Sequence, residues 1–401
     1  MSASGRRTRL LGLVPDAHAL DATRGGEVDV PFRVPGMLWR ARNWFVPRAI
    51  AQSLRRLPPP REAFITVSPT WVVAARLTWP DVPVIFIFAC LLTNSLPFNW
   101  SRRRPPTPSA WLDWRGVRAT EHRALLLADR VFVPTRQAAD ELAAFAPGVE
   151  RRLTLYGGGF TPRAIDVQRR SAHRAALGVD DHHVVYLAAG VLDRNKGFEL
   201  AVRALASTPP HVHLVLVGEG PTREADAALA ARVGVGARCH VLGPQASVEP
   251  WLDAADVVVS TSHYDTFPNI LKEAVAAGRP IIVPRHDPPR VYCGFDEVVR
   301  DTGCGLVYPR RESADLAEAM QRVACDRALR TTLVERAIQT ARERAGWSSF
   351  VSLLAAATVR LPPGPGEATM ARTAAESGTR APAPQDSKAH RVAWSGTRGA
   401  S

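Results

Sequence analysis

The sequence predicts an α/β protein with two doubly wound parallel sheets, one in each half of the chain. Three observations indicate this fold. Short apolar segments bounded by Gly or Pro alternate with segments of helical period, most regularly over residues 183–284. The chain has 401 residues, too many for one ordinary hydrophobic core. Its longest apolar run, residues 82–92, falls well short of the ~20 residues that span a bilayer, so a buried strand is the better interpretation.

The C-terminal half is the more regular of the two. Strands are predicted at residues 184–189, 214–217, 240–242, 257–261 and 281–284. Helices are predicted at residues 198–206, 223–233, 248–254, 269–277, 313–323 and 329–344. This alternation predicts a Rossmann-like domain over residues 178–346.

The N-terminal half is less regular, and its domain is placed at residues 1–165. Strands are predicted at residues 9–14, 64–67, 84–88 and 131–134, and a helix at residues 121–128. Residues 97–109, rich in Pro and Arg, predict a surface loop, and residues 162–176 predict a polar linker. After residue 361 the composition is Pro, Gly, Ala, Ser and Thr without periodicity, which predicts a disordered tail over residues 362–401.

The charge balance is basic, with a net charge of +13. Such a balance suits a nucleic acid, an anionic membrane surface or a phosphorylated substrate. The basic residues are mostly Arg spread along the chain, and no basic helix with interleaved aromatic residues stands out, so no nucleic-acid partner is expected. The Trp and Arg residues of segment 97–115 fit either a membrane-surface contact or a packed loop.

The cysteines and histidines predict no metal site. The five cysteines contain no close pair, which favours free thiols in a reducing cytoplasm over a disulfide framework or a zinc site. Residues 180–183 (Asp-Asp-His-His) cluster before a predicted strand and imitate metal ligands, and they are interpreted as a solvated turn.

Residues 260–280 carry the strongest functional pattern. A predicted strand ends at Thr261, and Pro268 stands where a helix begins. The amides and dipole at a helix start attract an anion. Glu273 follows five residues later, roughly 7–8 Å along the axis, within reach of the ribose of a nucleotide whose diphosphate lies at the helix start. Asp265 can then reach the sugar. The alternative is that Asp265 caps the helix and Glu273 is a solvated residue.

The same stretch, D-T-F-P-N-I-L-K-E-A-V-A-A-G-R-P, resembles the acid-plus-seven-plus-acid motif of family-four retaining glycosyltransferases (glycosyl transferases group 1). That family has the GT-B fold, in which two Rossmann-like domains face each other across a cleft. Its first acid is usually Glu and here is Asp265, while the second matches Glu273. The resemblance implies that Asp265 contacts the donor sugar, that Glu273 contacts the ribose, and that the turn of Phe267, Pro268 and Asn269 holds the phosphates.

Residues 190–197, G-V-L-D-R-N-K-G, resemble the family's G-R-L-x-x-x-K-G segment, whose Arg and Lys neutralise the donor diphosphate. Lys196 matches the Lys. Val191 replaces the Arg and cannot hold a phosphate, so Arg194 is the candidate substitute. One ammonium about 4 Å from a phosphate contributes on the order of 4 kcal/mol at an effective dielectric constant near 20, and losing one of two such cations is therefore costly.

Further segments occur in the family's order. Gly218 and Gly220 resemble the turn that lets backbone approach the donor, although a lone G-x-G is more often only a tight turn. Gly243 lies in the loop that reads the base in that family. The resemblance covers residues 183–358, and it implies that Trp347 opens a helix over residues 347–361 that returns to the N-terminal domain.

The N-terminal half matches the family less well. The three glycines 157–159 fit either a family turn or a flexible linker. No Gly-rich loop stands at the start, so either the N-terminus is truncated or the protein lacks the family's first strand and loop. Ala89 and Cys90 stand where the family tends to have a His after the strand at 84–88.

The resemblance implies a retaining glycosyltransferase that moves a sugar from a nucleoside-diphosphate sugar to an acceptor hydroxyl, with no cofactor and no metal. Lys196, Asp265 and Arg194 are the predicted catalytic groups. The acceptor, whether glycan, glycolipid or small metabolite, is left open, as is peripheral contact with the inner face of the membrane. The rival prediction is a degenerate, non-catalytic partner or nucleotide-binding scaffold, which the changes at Val191 and Asp265 favour.

Overall fold

The computed structural model describes residues 10–14, 27–31, 42–60, 62–99, 107–345 and 348–359. By its internal contacts the chain divides into Met1–Leu361 and Pro362–Ser401. Both the predicted disordered tail and Trp347 lie outside the described residues.

The N-terminal half contains two parallel sheets. Strands β1 (Leu10–Val14) and β2 (Glu27–Pro31) form a pair. Strands β3 (Phe64–Thr66), β4 (Val84–Ile87), β5 (Arg130–Val133) and β6 (Leu153–Leu155) form a four-stranded sheet in that order. The helices of this half are α1 (Arg42–Leu54), α2 (Pro69–Thr78), α3 (Leu92–Asn99), α4 (Pro108–Leu127) and α5 (Arg136–Phe145).

The C-terminal half contains a six-stranded parallel sheet. Its strands are β7 (Val184–Ala189), β8 (Val212–Val217), β9 (Cys239–Gly243), β10 (Val257–Val259), β12 (Ile281–Pro284) and β14 (Gly305–Tyr308). They lie in the order β14-β12-β10-β7-β8-β9, and every neighbouring pair is parallel. Apolar side chains are buried on both faces of this sheet, because helices cover both sides.

The helices of this half are α6 (Val167–Ala176), α7 (Glu199–Leu205), α8 (Arg223–Arg232), α9 (Glu249–Ala254), α10 (Asn269–Ala276), α11 (Gly294–Thr302), α12 (Ser313–Cys325) and α13 (Arg327–Glu343). Two short strands, β11 (Tyr264–Asp265) and β13 (Tyr292–Cys293), pair in parallel outside the main sheet. The predicted architecture of two parallel sheets with helices is therefore confirmed.

The last described helix, α14 (Ser348–Val359), lies against the four-stranded N-terminal sheet. The Phe350 ring centre is 5.6 Å from that of Phe132 and 4.9 Å from that of Tyr156. Leu354 is buried in the same cluster as Ile85. The chain thus passes back onto the N-terminal sheet after it has built the C-terminal one.

The predicted linker at residues 162–176 is wrong, because most of it forms α6. Asp166 accepts a hydrogen bond from the Arg169 amide (2.9 Å) and caps the helix. Arg169 contacts Asp253 (2.5 Å), and Arg170 contacts Asp256 (2.7 Å). The basic residues suggested a solvated segment, but they pair with carboxylates on and directly after α9.

The predicted surface loop at residues 97–109 is wrong at both ends. Helix α3 extends to Asn99 with Pro97 inside it, and α4 begins at Pro108, where Pro suits the first turn. The Thr107 hydroxyl caps α4 by accepting from the Ala110 amide (3.2 Å). The helix predicted at residues 121–128 is only the last part of α4.

Candidate functional site

The loops that follow β7 and β8 pack directly on each other at the carboxyl edge of the six-stranded sheet. A Cβ at Gly218 would overlap the carbonyl oxygen of Gly190, and a Cβ at Gly220 would overlap that of Leu192. The Gly218 amide also donates to the carbonyl of Gly243, the last residue of β9 (2.9 Å). The prediction assigned Gly218 and Gly220 to close approach of a donor. In the structure, the neighbouring loop makes the close approach, and this contact accounts for both glycines.

Gly243 faces an arginine that the sequence analysis missed. Its φ is +74°, and a Cβ there would lie 2.7 Å from the Arg223 guanidinium. Arg223 also pairs with Glu219 (3.1 Å). On the same side, the Trp251 indole N–H donates to Gln245 Oε1 (3.3 Å). The available signal for Arg223 was its position four residues after Glu219 at the start of α8, where side chains at i and i+4 meet.

Lys196 and Asp265 form an ion pair between the loops that follow β7 and β10. Lys196 Nζ contacts Asp265 Oδ2, and the side chains are 22% and 18% exposed. Burial raises the pKa of Asp265, while Lys196 opposes that change. The Lys196 amide donates to Asp193 Oδ1 (2.8 Å), which shapes the loop. The structure therefore brings together two residues that the sequence predicted for one site.

Asn195 holds this pair in place. It is 8% exposed, its Nδ2 donates to the Tyr264 carbonyl (3.0 Å), and its Oδ1 accepts from the Tyr264 amide (3.0 Å). The His263 amide donates to the Asn195 carbonyl (2.8 Å). These three bonds fix the Lys196 loop against β11. The sequence analysis passed over Asn195, although an amide side chain directly before the predicted lysine was available as a signal.

Helix α10 begins directly after Pro268, its N-cap residue, and no side chain caps it. The alternative in which Asp265 caps this helix is therefore wrong. The Phe267 ring stacks on Phe295 with 4.6 Å between centres. A Cβ at Gly158, where φ is +72°, would overlap the Phe267 ring. The three-glycine run is thus a packed turn at Gly158 rather than a free linker. Because no side chain caps α10, the positive end of its dipole stays available to an anion.

Glu273 lies on the exposed side of α10. Partial burial raises its pKa, and the neighbouring Lys272 opposes the change. Burial also lowers the pKa of Lys272, whose ammonium lies 5.7 Å from the centre of the Phe267 ring. Glu273 therefore offers a solvent-facing carboxylate, while Asn269 is exposed in the first turn of the same helix.

The N-terminal domain meets the site through the loop after β4. The Thr266 hydroxyl donates to the Ala89 carbonyl. The Leu91 amide donates to the Tyr264 hydroxyl (2.7 Å), which also bonds Glu141. Tyr264 is 2% exposed and belongs to the N-terminal core cluster although it comes from the C-terminal half. The two halves are therefore bonded together directly beside the ion pair.

Helix α3 makes a second connection between the halves. Buried Glu121 accepts from the Leu92 amide (2.6 Å) and the Thr93 amide (3.2 Å) and so caps its start. At its end, the Asn99 side chain donates to Asp193 Oδ2 (3.1 Å) and accepts from the amide of Asn195 (3.0 Å). This helix therefore borders the Lys196 loop.

Cys90 directly follows Ala89, whose carbonyl accepts the hydrogen bond from Thr266. The protein around Cys90 shields its thiol from water and so raises its pKa to about 11, and the carboxylates of Glu121 and Asp265 act in the same direction. The thiol therefore stays protonated at neutral pH and is a weak hydrogen-bond donor rather than a nucleophile.

The remaining predicted positions lie around the same loop or outside the site. Val191 is 57% exposed, and Arg194 is also exposed, so the role of Arg194 at a diphosphate stays a prediction. His263 stacks on Phe98 with 4.6 Å between ring centres. Within the described part of the chain, no three His, Cys, Asp or Glu side chains are arranged to hold a metal ion.

This arrangement has counterparts among known proteins. Residues 182–326 match the family model described as glycosyl transferases group 1. The matched residues make up most of the C-terminal domain. The chain is 27% identical over 249 residues to the lipopolysaccharide core biosynthesis glycosyltransferase LpsE of Rhizobium meliloti, covering 60% of this chain and 71% of LpsE. It is 29% identical over 259 residues to a D-inositol 3-phosphate glycosyltransferase of Xylanimonas cellulosilytica, covering 60% of each chain. For the Xylanimonas protein and two further curated relatives, the match spans only 59–62% of the relative's own length.

Solved structures share this architecture over most of the chain. Anabaena HepE in complex with UDP and glucose superposes with a TM-score of 0.66 at 18% identity, covering 84% of this chain and 87% of HepE. WaaG, described as a glycosyltransferase involved in lipopolysaccharide biosynthesis, gives 0.63 at 18% identity, covering 85% and 88%. These likenesses identify the fold as GT-B, as the sequence predicted.

Proposed function

We propose that this group 1 protein is a retaining glycosyltransferase that takes a nucleoside-diphosphate sugar and transfers the sugar to an acceptor hydroxyl. The observation that carries the proposal is the Lys196–Asp265 ion pair, fixed by Asn195 and placed in the loops at the carboxyl edge of the sheet. A cation and a carboxylate held side by side suit a donor that carries a diphosphate next to a sugar.

In such a transfer the enzyme must above all stabilise the leaving group, because negative charge develops on the diphosphate as its bond to the sugar breaks. Lys196 supplies one cation, and the start of α10 at Pro268 and Asn269 supplies amides and the positive end of a dipole. We assign the second cation to Arg194, since Val191 cannot fill that role. A bound diphosphate then shares the Lys196 ammonium with Asp265.

The two carboxylates orient the donor. We assign Asp265 to the sugar hydroxyls and Glu273 to the ribose hydroxyls, which holds the anomeric carbon in one position relative to the acceptor. The Gly243 loop with its neighbour Arg223 borders the base. No separate general base is assigned, because the protonated Cys90 thiol is not basic at neutral pH. We expect transfer with retention, in which the acceptor attacks on the face from which the diphosphate departs.

The nucleotide is proposed from the relatives. HepE is described in complexes with UDP, with UDP and glucose, and with UDP-glucose. A uridine diphosphate sugar is therefore the first donor to test. The donor is consumed as a substrate, and we propose no cofactor. The names of the relatives point to different acceptors, so we leave the acceptor class open among glycan, glycolipid and small metabolite.

We propose that the protein lies in the cytoplasm and that its contact with the inner face of the membrane is peripheral. All five cysteines lie in the described residues and are free thiols, which supports a reducing compartment. No helix in the described ranges is long and apolar enough to cross a bilayer.

The rival function is a nucleotide-binding partner without catalysis. Val191 favours it, because a phosphate-binding Arg is absent at that position. Turnover separates the two functions. The full chain is incubated with UDP, GDP, TDP and ADP sugars and a panel of acceptors, and release of the nucleoside diphosphate is followed. We expect release of the nucleoside diphosphate with one of these donors. Proton NMR should show that the sugar in the product has the same anomeric configuration as in the donor. Binding without release of any diphosphate would favour the rival, and an inverted product would refute retention.

A further inference from the structure

One face of helix α4 carries exposed cations together with exposed apolar side chains. Trp111 is 47% exposed and Leu112 is 43% exposed, both in the first two turns. Arg115, Arg118 and Arg123 are exposed further along the helix. At roughly 100° per residue, these five positions fall within about 140° of the helix circumference, so they share one side.

No carboxylate interrupts this face. The structure describes α4 throughout, and its two acidic residues lie elsewhere. Asp113 falls nearly opposite Arg115 around the helix. Glu121 is 2% exposed and accepts hydrogen bonds from the start of α3. The described face is therefore cationic. The sequence analysis left a membrane-surface contact open for the Trp and Arg residues of segment 97–115, but it did not place them on one helix face, because only the end of α4 was predicted as helix.

The side chains on this face are arranged for a boundary between water and an apolar phase. The Arg115 guanidinium lies 4.7 Å from the Trp111 ring centre, and that of Arg118 lies 4.8 Å from the Phe145 ring centre. Trp has an apolar body and a polar N–H, and it is enriched at the headgroup level of membranes. Arg extends an apolar stem while its charged end contacts lipid phosphates.

We propose that this α4 face, defined by Trp111, Leu112, Arg115, Arg118 and Arg123, docks on an anionic phospholipid surface. Trp111 and Leu112 enter the headgroup layer, and the arginines contact lipid phosphates. Charge complementarity selects the partner, since the face has three cations and no anion. A nucleic acid would satisfy the charge, but it gives no reason for an exposed Leu112 beside the ring.

The helix that carries this face is also linked to the Lys196 loop through α3. The Trp114 indole N–H donates to the Thr93 carbonyl in α3 (2.9 Å), and α3 ends at Asn99, which bonds the Lys196 loop. Docking would therefore hold the cleft close to a membrane-borne acceptor. The docking gives a site to the proposed membrane contact, and this consequence for the acceptor rests on the proposed glycosyl transfer.

The test is flotation of the full chain with vesicles of phosphatidylcholine alone or of phosphatidylcholine mixed with phosphatidylglycerol. We expect binding to the anionic vesicles only, weakened by salt. Arg115→Glu with Arg123→Glu should weaken that binding at least tenfold. Trp111→Ser with Leu112→Ser should weaken it several-fold. The matched control, Arg203→Glu with Arg232→Glu on exposed positions of α7 and α8, should lose much less.

Circular dichroism and UDP affinity in solution, measured on the same preparations, separate lost docking from lost folding. Equal binding to neutral vesicles would overturn the proposal. So would unchanged binding by both α4 variants, or a preference for duplex DNA over anionic vesicles. Retained vesicle binding by a chain that neither binds nor turns over any nucleotide sugar would count against the proposed function alone.

Discussion

The two sheets present different chemistry at their carboxyl edges. The loops of the C-terminal sheet pack so closely that Gly218 tolerates no Cβ, and they fix an ion pair through a buried amide. The corresponding edge of the N-terminal sheet, after β4, offers Ala89 and a protonated Cys90, and it bonds to the other half instead. The difference teaches that the charged groups proposed for the donor are concentrated in one half, while the other half supplies support and an open surface.

The sharpest way to test this division is to remove charge at the sugar position. We expect Asp265→Asn to lower kcat/KM for the donor at least a hundredfold, because a carboxylate that orients the sugar is lost. UDP affinity should stay the same or rise, because Lys196 no longer pairs with Asp265. Steady-state kinetics and calorimetry measure the two quantities. Glu318→Gln, on the exposed side of α12, is the control. Equal losses in both quantities would contradict the assignment of Asp265 to the sugar.

The packed loops predict a large difference between two glycines. Gly218→Ala should lower the free energy of unfolding by about 3 kcal/mol or more, because its Cβ would meet the Gly190 backbone. Gly178→Ala, at a φ of +68° and in open space, should cost about 1 kcal/mol from backbone strain alone. Chemical denaturation measures both. Similar costs at the two positions would show that the loops are not tightly packed.

The support of the ion pair is tested at Asn195. We expect Asn195→Ala to cost about 2 kcal/mol of stability, because two hydrogen bonds are lost and buried Tyr264 backbone groups are left unpaired. Donor affinity should fall as well, since the Lys196 loop is no longer fixed. Asn269→Ala, exposed at the start of α10, should leave stability nearly unchanged. A stable Asn195→Ala protein with full donor affinity would refute the supporting role.

The contact between the halves predicts a smaller, pH-dependent effect at Glu141. Burial raises its pKa from 4.5 to about 7, against the hydrogen bonds from Asn94 and Tyr264. The folded state therefore holds this proton more tightly than the unfolded chain. The resulting stabilisation is complete below pH 4.5 and is lost as the pH rises through about 7.

We expect Glu141→Gln to remove that loss, so that its stability relative to the natural chain increases by about 1–3 kcal/mol between pH 5 and pH 8. Denaturation at both pH values gives the comparison, with Glu318→Gln again as the control. Parallel pH profiles for the Glu141→Gln variant and the natural chain would show that Glu141 does not titrate in this range.

The sequence predicted the fold for a physical reason, because parallel strands buried on both faces are continuous apolar runs whose following loops lie at one edge of the sheet. Lys196 and Asp265 were singled out by the family resemblance. The structure places them in contact at that edge, while their roles stay predictions. Asn195, Glu141 and Arg223 were missed, because their roles depend on partners from other elements. Helix α6 was missed because its arginines suggested solvent, although they bond Asp253 and Asp256.

The central claim is that the C-terminal loops bind the donor nucleotide, and calorimetry with UDP, GDP, TDP and ADP tests it most directly. The natural chain is compared with Lys196→Ala and Glu273→Ala, and Arg203→Ala on exposed α7 serves as the control. We predict that one nucleotide binds and that each of the two site changes weakens it at least tenfold, while the control does not. Failure of all four nucleotides to bind the natural chain, or full affinity in both site variants, would contradict the account.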